Sequence, residues 1–158
     1  MTPFERTFSV RPDLWEEVRS FSLQIWHPPK IDPILLELCR LRLAQLHGCD
    51  SECAVRYEPA RAAGLSEERI AALADWRRGE AFGAVERACL AFAENFALAV
   101  QAISDEDVAA LSTHLSEAEI VALCQALAVF DGFIRFRVLL GVTGEAGVVD
   151  PEHSTVLY

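Results

Sequence analysis

Four times along this chain a helix-capping residue is bracketed by two apolar residues. Ile31 and Leu36 flank Asp32, Leu65 and Ile70 flank Ser66, Ile103 and Val108 flank Ser104, and Leu115 and Ile120 flank Ser116. A side-chain oxygen at the cap takes an otherwise orphaned amide, and the apolar pair staples the incoming chain to the first turn. Pro33 follows Asp32 at the first helical position, and Glu119 completes a capping box with Ser116. Glycines stand where helices should stop, at Gly48, Gly64, Gly79 and Gly141. Apolar residues recur at intervals of three and four rather than two. The pattern predicts helices over about 12–26, 33–47, 50–63, 67–78, 84–101, 105–114 and 117–140. The expected fold is all-α, a bundle of about seven helices with no sheet. The His27-Pro28-Pro29 segment separates the first helix from the rest, and the tail from Gly141 reads as an extended arm that is ordered only if it docks.

With 158 residues, 52% of them hydrophobic, the chain can bury one core, and a single domain over 1–158 is expected. A formal net charge of −10 argues against nucleic acid or an anionic membrane as partner, since both require basic patches. The longest apolar run, Ile120 to Phe130, falls short of the roughly 20 residues that span a bilayer. The segment Met1 to Val10 lacks the apolar centre of a signal peptide. These features together predict a cytoplasmic protein. Two helices, 84–101 and 120–140, are apolar nearly all round, which suggests that a homo-oligomer buries part of them.

The chemistry-bearing segment runs from Glu37 to Arg61. It holds two of the five cysteines, Cys49 and Cys53, just past the helix stop at Gly48. Without a secretory signal a disulfide framework is not expected, and Cys39, Cys89 and Cys124 read as core filler. A thiol at the mouth of a helix is exposed to amides that favour the thiolate, although a buried cysteine is commonly inert. Glu37 would face along an antiparallel partner helix, where a carboxylate can act as base toward a thiol. Glu52 and Arg56 share a helix face: Arg56 could stabilise a thiolate or hold an anionic substrate, or the two form an ordinary surface ion pair. His47 reads as a helix C-cap, and a metal site of His47, Cys49 and Cys53 lacks a fourth ligand.

The run Leu41-Arg42-Leu43-Ala44-Gln45-Leu46-His47-Gly48-Cys49 resembles the carboxymuconolactone decarboxylase family, and within it the AhpD-like alkylhydroperoxidase branch. Ala60-Arg61-Ala62-Ala63-Gly64-Leu65-Ser66-Glu67-Glu68 and Phe82-Gly83-Ala84-Val85-Glu86-Arg87-Ala88 carry the same likeness. It covers about residues 36–140, a family-like core flanked by the first helix and the arm. The resemblance implies an all-helical AhpD-like fold, a homo-oligomer built as trimer or hexamer, and peroxide or disulfide chemistry. A cysteine pair three apart does that chemistry in the branch, the second attacking and the first resolving, helped by a glutamate and a histidine. By position Glu37 matches the glutamate and Cys49 the first cysteine. The second cysteine's place holds Glu52 and the histidine's place holds Arg56, while Cys53 lies one residue further on. Partners four apart on a helix lie about 6 Å apart at Cα, within the disulfide range.

The leading expectation is therefore an AhpD-like antioxidant protein with peroxiredoxin-type thiol chemistry. It would reduce a small hydroperoxide or disulfide through Cys49 and Cys53, with Glu37 as base, Glu52 as relay and Arg56 as stabiliser. No built-in cofactor is expected, and the resemblance points to a dithiol or lipoyl-type reductant protein. The alternatives are a decarboxylase-type lyase or isomerase acting on a small anionic substrate through Glu37 and Glu52, and a non-catalytic ligand-binding helical oligomer.

Overall fold

The computed structural model describes residues 3–27, 29–144 and 146–153. Pro28 of the proline break and the end of the arm, 154–158, lie outside the described residues. Within them the elements run α1 Pro3–Phe8, α2 Pro12–Trp26, α3 Pro33–Leu46, α4 Asp50–Cys53, β1 Val55–Tyr57, α5 Glu58–Ala62, α6 Glu67–Ala71, α7 Ala84–Leu98, α8 Asp105–Ser112, α9 Glu117–Leu140 and β2 Gly147–Val149. Short 3-10 turns extend α6 over Ala72–Asp75 and follow α7 over Val100–Ala102.

The caps act as the sequence implies. Asp32 accepts from the Ile34 amide, Ser66 from Arg69, Ser104 from Asp107 and Ser116 from Glu119. The stops after α3, α5 and α9 share one device. Gly48, Gly64 and Gly141 take positive φ of 62°, 101° and 62°, and the amide of the residue after each reaches back to close the helix end. At Gly48 the Cys49 amide donates to Ala44 O at 2.9 Å and the Gly48 amide to Gln45 O at 3.2 Å, a Schellman turn that throws the chain into α4.

α3 is the central helix, packed between α7 and α9. One side, with Leu35, Leu36, Cys39 and Leu43, joins a core with Trp26, Phe92, Leu127 and Ile134. The other, Leu38 and Leu41, joins a second core with Leu65, Leu73, Trp76 and Leu90. The all-round apolar character of α7 is used within the chain, where Cys89, Leu90, Phe92 and Ala93 are buried. α1, which the periodicity did not reveal, is short and packs through Phe8 on Trp15 and Phe136, at ring-centroid distances of 4.2 and 5.3 Å.

Two expectations are corrected. The helix expected over 50–63 is broken after one turn, and the fold is mostly helical with a small sheet rather than sheet-free. β1 and β2 pair in parallel, with Val55 opposite Gly147, Arg56 opposite Val148 and Tyr57 opposite Val149. Pro59 explains the break. A continuous helix would need a residue-59 amide for the Val55 carbonyl, and proline has none and collides with that carbonyl. Val55 and Tyr57, β-branched and aromatic, then alternate inward around an outward Arg56. The arm docks on this strand, and Val149 is fully buried. Removing two methyl groups by Val149→Ala should therefore cost about 2 kcal/mol. Urea unfolding checks this; a loss below a few tenths of a kcal/mol would mean the arm is not part of the cooperative core.

Candidate functional site

The site grows from two charges placed inside the central helix. Glu37 and Arg40 stand one turn apart on α3, only 1% and 2% exposed. Arg40 grips Glu37 with both ends of its fork, Nε to Oε2 and Nη2 to Oε1, each at 2.8 Å. Its Nη1 donates to Glu52 Oε2 at 2.8 Å and to Glu52 O at 2.9 Å, and Nη2 also reaches Val55 O at 2.8 Å. The second oxygen of Glu52 pairs with Arg137 of α9 at 2.8 Å. Two carboxylates and two guanidiniums thus alternate through the interior as Glu37, Arg40, Glu52 and Arg137. Burial opposes the charge on Arg40, but the two glutamates outweigh it and hold the guanidinium protonated more firmly than usual.

Aromatic groups cover this chain of charges. The Tyr57 ring lies 5.1 Å from the Arg40 guanidinium carbon and stacks on Trp26 at 4.2 Å with 12° between planes. Its amide donates to Glu37 Oε1 at 3.2 Å. Burial, with Glu52 adding to it, raises the phenol above its ordinary range.

The cysteines sit at the edge of the network. Cys49 is buried at the Schellman turn, with Sγ 3.5 Å from Ser51 Oγ. Ser51 Oγ in turn accepts from Arg137 Nη1 at 3.4 Å. Cys53 is half-buried one turn on, its amide donating to Cys49 O at 3.0 Å. Both are free thiols. Burial pushes the Cys53 thiol up; Arg40 pulls against that, and Cys49, Asp50 and Glu52 add to the rise. The depressed thiol expected at a helix mouth is not found at Cys53. α4 is a single turn with Cys53 at its far end, so few aligned amides face that sulfur.

Glu37 directs its hydrogen bonds to Arg40 and the Tyr57 amide rather than to a sulfur. Arg56 is not on a helix face with Glu52. It forms a fork with Glu67, 2.9 Å on both arms, and its Nη1 caps the carbonyl of Cys53 at 2.6 Å. His47 turns its ring away from the helix carbonyls toward Asp131, at 2.6 Å. Among the described residues no three His, Cys, Asp or Glu side chains gather as a metal-binding group. No described helix is long and apolar enough to cross a membrane.

Arg40, Arg137 and Ser51 are the site residues that the sequence reading passed over. Arg40 carried a signal, a cation three residues after Glu37 within an otherwise apolar stretch. Arg137 had none, because only the packing of α9 on α3 brings it to Glu52.

The sequence model of the Carboxymuconolactone decarboxylase family matches residues 12–95, just over half of the chain. No curated protein matches the sequence. Among solved structures, a protein of unknown function from Agrobacterium tumefaciens, proposed as an antioxidant defence protein AhpD, superposes with a TM-score of 0.71 at 21% identity, covering 90% of this chain and 97% of that one. The debrominase Bmp8 superposes as well. Its cysteine-to-alanine variant in complex with 2,3,4-tribromopyrrole gives a TM-score of 0.73 and its apo form 0.72, both at 19% identity over 89% of this chain and 75% of that one. At these identities the likeness is one of fold.

Burial raises the thiols of Cys39 and Cys124 as well as Cys53, and that of Cys89 to about 12. A raised thiol favours the folded state fully below its ordinary value of 9.0, and the benefit is lost as pH climbs toward the folded value, about 12 for Cys89. Stability should therefore fall across that alkaline window. In the native protein near neutral pH, iodoacetamide should reach Cys53 before the fully buried Cys39 and Cys89. Peptide mass spectrometry reads the order; equal labelling of all five would remove the distinction between site and core.

Proposed function

Because the chain belongs to the carboxymuconolactone decarboxylase family, we propose that it is an AhpD-like thiol reductase acting on hydroperoxides or disulfides through Cys49 and Cys53. The observation that carries the reading is a pair of free thiols one helical turn apart, the second of them on a turn whose carbonyls the buried cation Arg40 holds. The Cys53 sulfur, as thiolate, attacks the terminal oxygen of a hydroperoxide. The O–O bond breaks, the leaving alkoxide takes a proton as alcohol, and Cys53 becomes a sulfenic acid. Cys49 then attacks that sulfur; the S–S bond forms as the S–O bond breaks and water leaves. An external dithiol, small or carried by a lipoyl-type protein, returns both thiols and is itself oxidised.

In this scheme Glu37 and Glu52 act as the fixed counter-charges of Arg40, and Arg56 holds the backbone at Cys53. The lyase alternative has less support. It needs carboxylates available for proton transfer and an arginine available for substrate, and these groups are paired among themselves or with Glu67. Mild hydroperoxide should produce a reversible Cys49–Cys53 bridge, seen as a mass loss of two hydrogens in the 49–53 peptide, and Cys53→Ser should abolish it. Separate over-oxidation of the two sulfurs with no bridge would sink the reading. 2,3,4-Tribromopyrrole with a dithiol, assayed alongside, tests whether reduction extends to a halogenated ring.

The same protein is proposed to work as a homo-oligomer. The outer side of α9 leaves Val138, Leu139 and Leu140 exposed, Leu139 by 82%, beside an apolar groove lined by Leu14, Val18, Phe133 and Phe136. Leu139→Glu should shift the mass read by light scattering toward the monomer with helix content unchanged. A wild-type protein already monomeric at micromolar concentration would contradict the assembly.

A further inference from the structure

Arg40 is built into the turn that carries Cys53 more thoroughly than an ordinary core ion pair requires. A guanidinium has five N–H donors. All five are used here: one on each oxygen of Glu37, one on Glu52 Oε2, and one on each of the carbonyls of Glu52 and Val55. Those carbonyls bracket Cys53, belonging to the residue before it and the second residue after it. Of the two carbonyls between them, that of Cys53 is held by Arg56, which also shares the Val55 carbonyl with Arg40. A continuous helix would bind the Glu52 carbonyl to the amide of residue 56, so the grip of Arg40 replaces helical bonds and sets how the Cys53 side chain leaves the backbone.

We propose that Arg40 is a positioning residue for Cys53. Its guanidinium fixes the two carbonyls that bracket the cysteine, and so holds a cation, itself gripped by Glu37, against the turn that carries the sulfur.

Every charged group facing that sulfur enters the balance. On its own segment Cys49, Asp50 and Glu52 disfavour the thiolate, while Arg40 from α3 favours it. Arg137 from α9 acts on Glu52, and Arg56 of β1 is neutralised by Glu67 of α6. Glu37, bidentate on Arg40 and placed on the same helix, sets a negative charge directly against that cation. Removing that charge should therefore unmask Arg40, a result that a purely structural ion pair would not give. The proposal deepens the thiol reading above, yet its test reads ionisation rather than turnover.

The experiment is iodoacetamide alkylation of Cys53 against pH, resolved by peptide mass spectrometry, on the full chain. Glu37→Gln keeps the shape and removes the charge. It should speed Cys53 alkylation at pH 7 by about three- to tenfold and move the profile to lower pH. Adding Arg40→Gln to it should return the rate to the wild-type value or below. A role in folding alone would move both variants the same way, and that outcome, or an unchanged profile in folded Glu37→Gln, overturns the proposal. Where the neutral variants do not fold, Arg40→Lys carries the test. It keeps the charge but has three donors for five acceptors. The alkylation midpoint should hold while amide exchange over residues 53–57 accelerates. Exchange equal to wild type, or a midpoint displaced upward, overturns it. If these shifts appear but no hydroperoxide or disulfide is turned over, the reductase reading fails and the role of Arg40 stands.

Discussion

A guanidinium buried in the central helix, with all five of its hydrogens engaged, is the constraint to which the rest of the structure answers. Arg40 ties α3 to the turn after α4 through two backbone carbonyls and to Glu37 and Glu52 through charge. Without such partners a cation there would be strongly destabilising, since removing one member of a buried pair costs about 3–5 kcal/mol. Glu52 must therefore reach inward, the Val55 carbonyl that Pro59 leaves without a helical partner finds one in Arg40, and α9 must deliver Arg137 to balance the second carboxylate. The aromatic cover of Tyr57 and Trp26 follows, because it keeps water from the charges while offering the face of a ring to the cation.

This arrangement explains why Glu52 stands where the AhpD-like branch is expected to carry its second cysteine. The position points into the core between two arginines, and here a carboxylate is what they hold. A cysteine at 52 would leave Arg40 and Arg137 short of a counter-charge. Cys53, one residue further on, lies at the half-buried edge of the network and is bonded to neither glutamate. Ser51 completes the link from the network to Cys49, so both sulfurs border one continuous set of polar contacts.

The small parallel sheet is the second consequence. Once Pro59 denies the Val55 carbonyl its helical partner, the segment 55–57 is extended, and an extended segment at the surface of a helical bundle has an unpaired edge. The arm beyond α9 supplies the missing strand and buries Val149 beside Tyr57. The strand that follows the thiol is thus held from one side by Arg40 and from the other by the C-terminal arm.

Much of this was written in the local sequence. Caps at Asp32, Ser66, Ser104 and Ser116, glycine stops at Gly48, Gly64 and Gly141, and the family-like order of motifs all act over a few residues, so they could be read without knowing what packs on what. The position of Cys49 at a Schellman turn was legible for the same reason. The break within 50–63 follows from Pro59, a local signal to which the apolar periodicity is blind. What only the tertiary structure decided is the use of the charges. Glu52 and Arg56, adjacent on a presumed helix, part to Arg40 and Glu67, and Arg137 meets Glu52 from 85 residues away. A charge in water is indifferent to distant partners, whereas a buried one is stable only beside its counter-ion, and that pairing is set by how helices pack.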